Sequence, residues 1–233
     1  KNYHKLIIVD ETSMIDTYLF ASLLKGIGHN ITLVLVGDSN QLPSVGPGLI
    51  LNDLIESDMF THTTLEQIYR QSDNSYIPIL AKEIKEHDLS SEFTKQTDDY
   101  NFLHASGLTI KEMIRKICVM SKEKGLTEEE IQVLAPMYRG ENGIDNLNVL
   151  LQDIFNPKSK DKRETKVGDV IYRVGDKVLQ LVNDPDNNIF NGDIGYISSI
   201  GTVMGSKNKD VFTVNFDGNE IQYTREDLIN IKH

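Results

Sequence analysis

An apolar run, Leu6-Ile7-Ile8-Val9, passes directly into Asp10-Glu11-Thr12-Ser13. A second β-branched-rich run, Ile31–Val36, follows after a helical pattern from about Ile15 to Lys25. Two strand-length runs bracketing a helix are the layout of a parallel β-α-β unit. This commits the amino-terminal part of the chain to an α/β fold. It also sets two adjacent carboxylates at the carboxyl edge of a strand, which is where open α/β sheets bind their ligands.

Further along, helical patterns near Tyr76–Glu86, Thr109–Lys124 and Asp145–Phe155, with a buried-type strand at Ile131–Ala135 ending in Pro136, predict a second α/β segment. Asn156–Lys166 is polar, carries Pro157 and reads as a linker or exposed loop. From Val167 the composition changes. Short runs at Val170–Tyr172, Lys177–Val182, Asp193–Ile200, Val211–Phe216 and Glu220–Tyr223 alternate with turn signals at Gly175-Asp176, Asn191-Gly192 and Asp217-Gly218. That spacing predicts a small β-barrel of roughly sixty residues.

Several classes are excluded by composition. The longest apolar stretches, such as Leu6–Val9 and Leu33–Val36, are far too short to cross a bilayer, so no membrane partner is expected. Cys118 is the only cysteine, which removes disulfide frameworks and Cys-based metal sites and favours the cytoplasm. A net charge of −11 argues against an undirected electrostatic grip on phosphates; any nucleic-acid contact must use local basic or backbone groups. The one locally basic stretch, Lys158 to Lys166, is interrupted by Asp161 and Glu164 and reads as a solvated linker.

The chemistry concentrates in two turns. In the Asp10-Glu11 pair one carboxylate can hold Mg²⁺, directly or through water, while its neighbour orients or deprotonates an attacking water. The competing explanation is helix capping by Asp10 or Ser13. Gly37-Asp38-Ser39-Asn40-Gln41-Leu42-Pro43-Ser44-Val45 follows the next strand, so it should lie beside the pair. There Gln41 offers an uncharged amide able to hydrogen-bond both a γ-phosphate and a water, and Asp38 can hold a metal-bound water. Gly46-Pro47-Gly48, by contrast, reads as a turn and nothing more.

These residues carry a resemblance. Val9-Asp10-Glu11-Thr12-Ser13-Met14 resembles the Walker B motif, and the Gly37–Val45 block the third motif, of RecD-like superfamily 1 DNA helicases. Leu65-Glu66-Gln67-Ile68-Tyr69-Arg70-Gln71 is similar to the family's fourth motif, which implies that Arg70 reaches the γ-phosphate; without the match Arg70 would read as a surface arginine. Val133–Ile144, followed by Leu147-Asn148, resembles the block that opens the second motor core beside the DNA track. Its turns and helix start can present N–H groups to a phosphate, or can simply connect a strand to a helix. Gly175-Asp176-Lys177-Val178, Phe190–Gly195 and Val214–Gly218 look like the SH3-like barrel inserted in that core. Tyr172, Phe190, Tyr196, Phe212 and Tyr223 are expected to fill the barrel core, with a base-stacking platform as the alternative.

The resemblance implies RecA-like P-loop motor fragments with a small SH3-like β-barrel. The expected parts are the C-terminal part of a first motor domain over residues 1–66, part of a second over 67–155, and linker plus barrel over 156–233. The implied ligands are ATP, Mg²⁺ and single-stranded DNA, with Asp10, Glu11, Asp38, Gln41 and Arg70 at the nucleotide and Pro43, Pro136, Tyr138, Arg139 and Asn148 near the DNA. The expected form is a monomer, or a part of a larger recombination or repair assembly, moving 5′ to 3′. The chain starts at Lys1, holds no Gly-x-x-x-x-Gly-Lys-Ser/Thr loop and ends at His233 before the family's closing motifs. The expectation is therefore a central piece of the motor with negligible ATPase activity by itself. Two rival readings are a different P-loop enzyme and a non-catalytic adaptor whose barrel binds a peptide or protein. Gln41-Leu42-Pro43 and Tyr69-Arg70-Gln71 speak against the first, and the ordered set of motifs against the second.

Overall fold

The computed structural model describes residues 6–65, 75–202 and 210–233. The chain divides into two compact units, Lys1–Leu103 and His104–His233. In the first, β1 (Leu6–Val9) and β2 (Thr32–Leu35) pair in parallel, Leu6 opposite Thr32 through Val9 opposite Leu35. The crossover helix α1 (Thr17–Gly26) starts where the Asp16 side chain accepts the Leu19 N–H at 2.7 Å, satisfying a donor that the first helical turn leaves free. Helix α2 (Ile50–Glu56) buries Leu51, and α3 (Ile77–Lys85) begins with Pro78 in its first turn. A polar cluster closes the end of this unit: Glu83 accepts from Tyr76 at 2.7 Å and from Ser90 at 2.5 Å, and these hydroxyls hold its carboxyl below the usual range.

In the second unit, α4 (Ile110–Glu123) and α5 (Ile144–Phe155) pack through Cys118, Leu147, Leu150 and Ile154. Burial pushes the Cys118 thiol up. A hairpin of β3 (Glu164–Val167) and β4 (Val170–Arg173) follows, then a five-stranded sheet of β5 (Lys177–Gln180), β6 (Ile194–Thr202), β7 (Asp210–Phe216), β8 (Asn219–Thr224) and β9 (Ile231–Lys232). The sheet order is β8-β7-β6-β5-β9. Strand β7 alternates strictly between buried and half-buried positions, so Phe212, Val214 and Phe216 all enter one core. Gly195 lies against them: a Cβ there would stand 2.7 Å from Val214 and 2.8 Å from the Phe216 ring.

The aromatic residues expected in the core divide. Tyr172, Phe212 and Tyr223 are buried in it, whereas Tyr196 is half-buried and Phe190 exposed. Two sequence expectations need correction. Ile131–Ala135 is not a strand: its residues alternate between half-buried and exposed, but no neighbouring strand pairs with them among the described residues. The Lys177 ammonium instead takes the Glu128 carbonyl at 2.7 Å and the Ile131 carbonyl at 3.4 Å. The segment read as a linker ends in β3, since the two-residue turn Gly168-Asp169, with Gly168 at φ 61°, folds it back on β4. Three of its basic side chains have partners. Lys158 donates to Glu164 at 2.5 Å, Lys162 to the Asn156 side chain, and Arg163 to Asp210 at 3.3 Å.

Candidate functional site

The β1–β2 ladder continues for one step beyond the strands. Val36 donates its N–H to the Val9 carbonyl at 2.8 Å, and Thr12 donates its N–H to the Val36 carbonyl at 2.9 Å. Thr12 is wholly buried, and its hydroxyl turns back to the Val9 carbonyl at 3.1 Å. The two loops that leave the strands are thereby held at one sheet edge. Asp10 and Glu11 stand on the first; Asp38, Gln41 and Pro43 stand on the second, and all five are exposed.

Within the first loop Glu11 adopts φ 52° and ψ 40°, the left-handed region that a non-glycine residue enters at a cost. Its N–H donates to Asp10 Oδ1 at 2.9 Å. Neither Asp10 nor Ser13 caps α1; that role belongs to Asp16. The Ser13 hydroxyl oxygen is buried and has no hydrogen-bond partner among the described residues. In the second loop Asp38 accepts the Asn40 N–H at 2.9 Å and the Asn40 side-chain amide at 3.2 Å, while Gln41 donates its N–H to the Asp38 carbonyl at 3.1 Å. The backbone and then the side chain of Asn40 hold the Asp38 carboxyl below its ordinary value, so it stays ionised. Gly46-Pro47-Gly48 does more than turn. The Pro47 carbonyl accepts the Thr17 N–H at 2.9 Å, and a Cβ on Gly46 would meet Asp16 Oδ2 at 1.9 Å, so this segment lies on the start of α1.

Arg70 lies outside the described residues. The remaining candidates belong to the second unit. Pro136, Tyr138 and Arg139 are exposed on the turn before α5. That turn is fixed to the helix: Ile144 donates its N–H to the Met137 carbonyl at 2.9 Å, Asp145 to the Tyr138 carbonyl at 3.1 Å, and the Asn146 side chain to the Gly140 carbonyl at 2.7 Å. Two N–H groups at this helix start are therefore already paired within the turn. Gly143 is required here, because a Cβ would stand 2.5 Å from the Arg139 carbonyl oxygen. The Lys232 ammonium lies 5.7 Å from the centre of the Tyr138 ring and 2.7 Å from Asp145. Asn148, one turn into α5, donates its amide to the His233 carbonyl. Beside it opens a mostly apolar cavity of about 350 Å³, walled by Val133, Ala135, Leu151, Phe155, Leu179 and Ile194.

Residues 147–216 match the family described as ATP-dependent RecD-like DNA helicase SH3 domain, and residues 1–107 match an AAA domain. The ATP-dependent RecD2 DNA helicase of Deinococcus radiodurans is 33% identical over 229 residues, 98% of this chain. This chain belongs to the RecD-like helicase family. A RecBCD enzyme subunit RecD from Mycolicibacterium smegmatis is 27% identical over 207 residues, which is 83% of the RecD-like chain and 36% of that subunit. The chain spans 29% of the length of the Deinococcus protein. A structure of two coordinating Pif1 helicases at forked dsDNA aligns with 94% of the RecD-like chain and 53% of its own, at 18% identity and a TM-score of 0.46, a level from which no residue placement follows. The α/β class and the SH3-like region expected from sequence are both present. Among the described residues no helix is long and apolar enough to cross a membrane.

Proposed function

We propose that this chain is the central part of an ATP-dependent DNA helicase motor that moves along single-stranded DNA in the cytoplasm, 5′ to 3′ as the family resemblance implies. Residues 1–66 belong to the first motor domain, 67–155 to the second, and 156–233 to the linker and barrel. One observation carries the reading. Glu11 is held in a left-handed conformation at the end of β1, beside a second loop whose Gly37 approaches so closely that a Cβ would stand 3.0 Å from the Thr12 nitrogen. Strain of this kind persists where the surrounding structure imposes it, and it collects at functional sites.

Each candidate has a role in the cycle. Of the Asp10-Glu11 pair one carboxylate is a hard oxygen donor for Mg²⁺, directly or through water, and Asp38 on the neighbouring loop holds a metal-bound water, which suits an ion that takes one or two carboxylates and completes its shell with water and phosphate. When bound, the ion neutralises charge on the phosphate oxygens. Glu11 orients the attacking water and accepts its proton. Gln41 hydrogen-bonds the γ-phosphate, and Arg70 stabilises the charge that develops on it. Pro43, Pro136, Tyr138, Arg139 and Asn148 border the DNA. Tyr138 is well exposed, as a base-stacking ring must be, and such contacts tolerate any base. The protein works as a monomer or within a recombination or repair assembly.

The test is ATP turnover by the full-length parent with and without single-stranded DNA, compared with its Glu11→Gln variant. DNA-stimulated turnover that falls by about 10²–10⁴-fold in the variant supports the motor and the role of Glu11. A parent with no DNA-dependent turnover, or a variant that matches it, removes the motor reading and leaves a barrel that binds a peptide or protein.

A further inference from the structure

Asp176, in the turn between β4 and β5, is 1% exposed, yet its carboxyl group is fully engaged. Three donors from two parts of the second unit converge on it, and His233 stands beside them. The Arg173 N–H reaches Oδ2 at 2.5 Å, Gln152 Nε2 reaches Oδ2 at 2.7 Å, Asn156 Nδ2 reaches Oδ1 at 2.7 Å, and His233 Nε2 stands 3.2 Å from Oδ2. A buried carboxyl without such partners would be costly, so this arrangement works only when every donor is in place.

Gln152 and Asn156 are four residues apart, so they share one face of α5. Each amide makes a second bond to the β3–β4 region: Gln152 to the Ile171 carbonyl at 2.8 Å, and Asn156 to the Val174 carbonyl at 3.1 Å. In return the Arg173 guanidinium donates to the Asn156 carbonyl at 2.5 Å and pairs with Glu164 at 2.9 Å. The other stripe of α5, Leu147, Leu150 and Ile154, packs with Cys118 of α4. Helix α5 is thus held on its apolar side by α4 and on its polar side by the barrel. Apolar contacts alone permit sliding, whereas directional bonds to one carboxyl fix a single orientation.

The far end of the same helix carries the Tyr138–Arg139 turn, tied to it through Ile144 and Asp145. Strand β9 touches that end as well, through Lys232 and Asp145. We infer that Asp176 is a positioning residue: it locks the barrel to α5, so that the helix and the Tyr138–Arg139 turn it carries keep one orientation toward single-stranded DNA. This rests on the motor reading above, and goes beyond it in assigning the coupling between the barrel and the turn that borders the DNA to one buried side chain.

Two measurements test it. In the 233-residue chain, spin labels at Lys116→Cys on α4 and Glu220→Cys on β8, both exposed positions, report the separation of helix pair and barrel. A single narrow distance is expected, and Asp176→Asn should lose it for a broad distribution while the far-UV spectrum keeps its helix and strand signal. The double variant Gln152→Ala/Asn156→Ala, which alters only the helix side, should do the same and guards against a folding failure of Asp176→Asn. In the full-length parent, both variants should retain ATP turnover on single-stranded DNA and lose base pairs unwound per ATP, a ratio that simple destabilisation would not move. Unchanged distances in both variants overturn the lock. Broadened distances with an unchanged ratio overturn the positioning role, and a parent without DNA-stimulated turnover overturns that role together with the motor reading, while the distances still report on the lock by itself.

Discussion

The backbone N–H of Thr12 donates to the carbonyl of Val36 at 2.9 Å, one step past Val9 and Leu35, the last paired residues of β1 and β2. This bond and its counterpart from Val36 to Val9 hold the loops of Asp10, Glu11, Asp38 and Gln41 at a fixed separation. Groups on different loops can act together only when the scaffold sets their spacing, and here the spacing is set by main chain rather than by flexible side chains.

Gly37 marks how close that approach is. A Cβ at this position would stand 3.0 Å from the Thr12 nitrogen, 3.1 Å from the Ser13 nitrogen and 3.0 Å from Leu51 Cδ2. Two of these neighbours are backbone and cannot yield without moving a loop. Gly37→Ala should therefore destabilise the first unit by about 1–3 kcal/mol. Urea unfolding of the chain measures this; a variant as stable as the parent sequence would mean that the two loops are free to separate.

The left-handed backbone of Glu11 predicts an opposed effect on stability and activity. Glycine enters this conformation freely, so Glu11→Gly should stabilise the chain by up to about 1 kcal/mol while abolishing ATP turnover in the full-length parent. Glu11→Gln keeps the Cβ and the strain, and its stability should stay within about 0.5 kcal/mol of the original. Comparing the two midpoints in urea isolates the backbone contribution. Equal midpoints would show that Glu11 is not strained in solution.

The sequence made the first loop legible because an apolar run ending in two carboxylates is a local signal, and the helices of both units follow the periodicity of their apolar residues. The barrel strands were legible for the same reason, through alternation and turn residues such as Asp217-Gly218, which carry φ 50° and 90°. Where the sequence misled, partners distant in the chain decide the outcome. Ile131–Ala135 has the composition of a strand but no paired neighbour among the described residues, and a ladder cannot form from one side. Glu164–Val167 has the charge pattern of a linker but becomes a strand because Gly168 lets it fold back on Val170–Arg173. The Asp176 lock was hidden as well: Gln152 and Asn156 look like ordinary polar helix residues until the chain returns with Asp176.

Helix capping and ligand binding, both open for the first loop from sequence, separate by substitution. Asp16 supplies the cap of α1 through its bond to the Leu19 N–H, whereas Asp10, among the described residues, accepts only the adjacent Glu11 N–H. Asp16→Ala should cost about 1 kcal/mol of stability. Asp10→Ala should leave the urea midpoint nearly unchanged and reduce nucleotide turnover in the full-length parent. A large loss of stability from Asp10→Ala with normal turnover would return Asp10 to a structural role.

Tyr223 predicts how the barrel responds to alkali. Its ring is buried and its hydroxyl donates to Gln180 Oε1 at 2.8 Å; burial, with Asp184 and Asp227 nearby, pushes its pKa from 10.0 up to about 12. The folded state therefore keeps this proton after the unfolded chain has released it. The resulting stability is fully present below pH 10.0 and is lost as pH rises from there through about 12. Tyr223→Phe should remove this part of the pH dependence and also leave the Gln180 carbonyl oxygen without the hydroxyl. That orphaned acceptor costs about 1–3 kcal/mol at neutral pH. Urea unfolding at neutral pH and at about pH 11, with phenolate absorbance followed alongside, separates the two effects. If the variant keeps the full alkaline loss of stability, another group controls it, and Tyr172, also raised by burial, becomes the residue to substitute next.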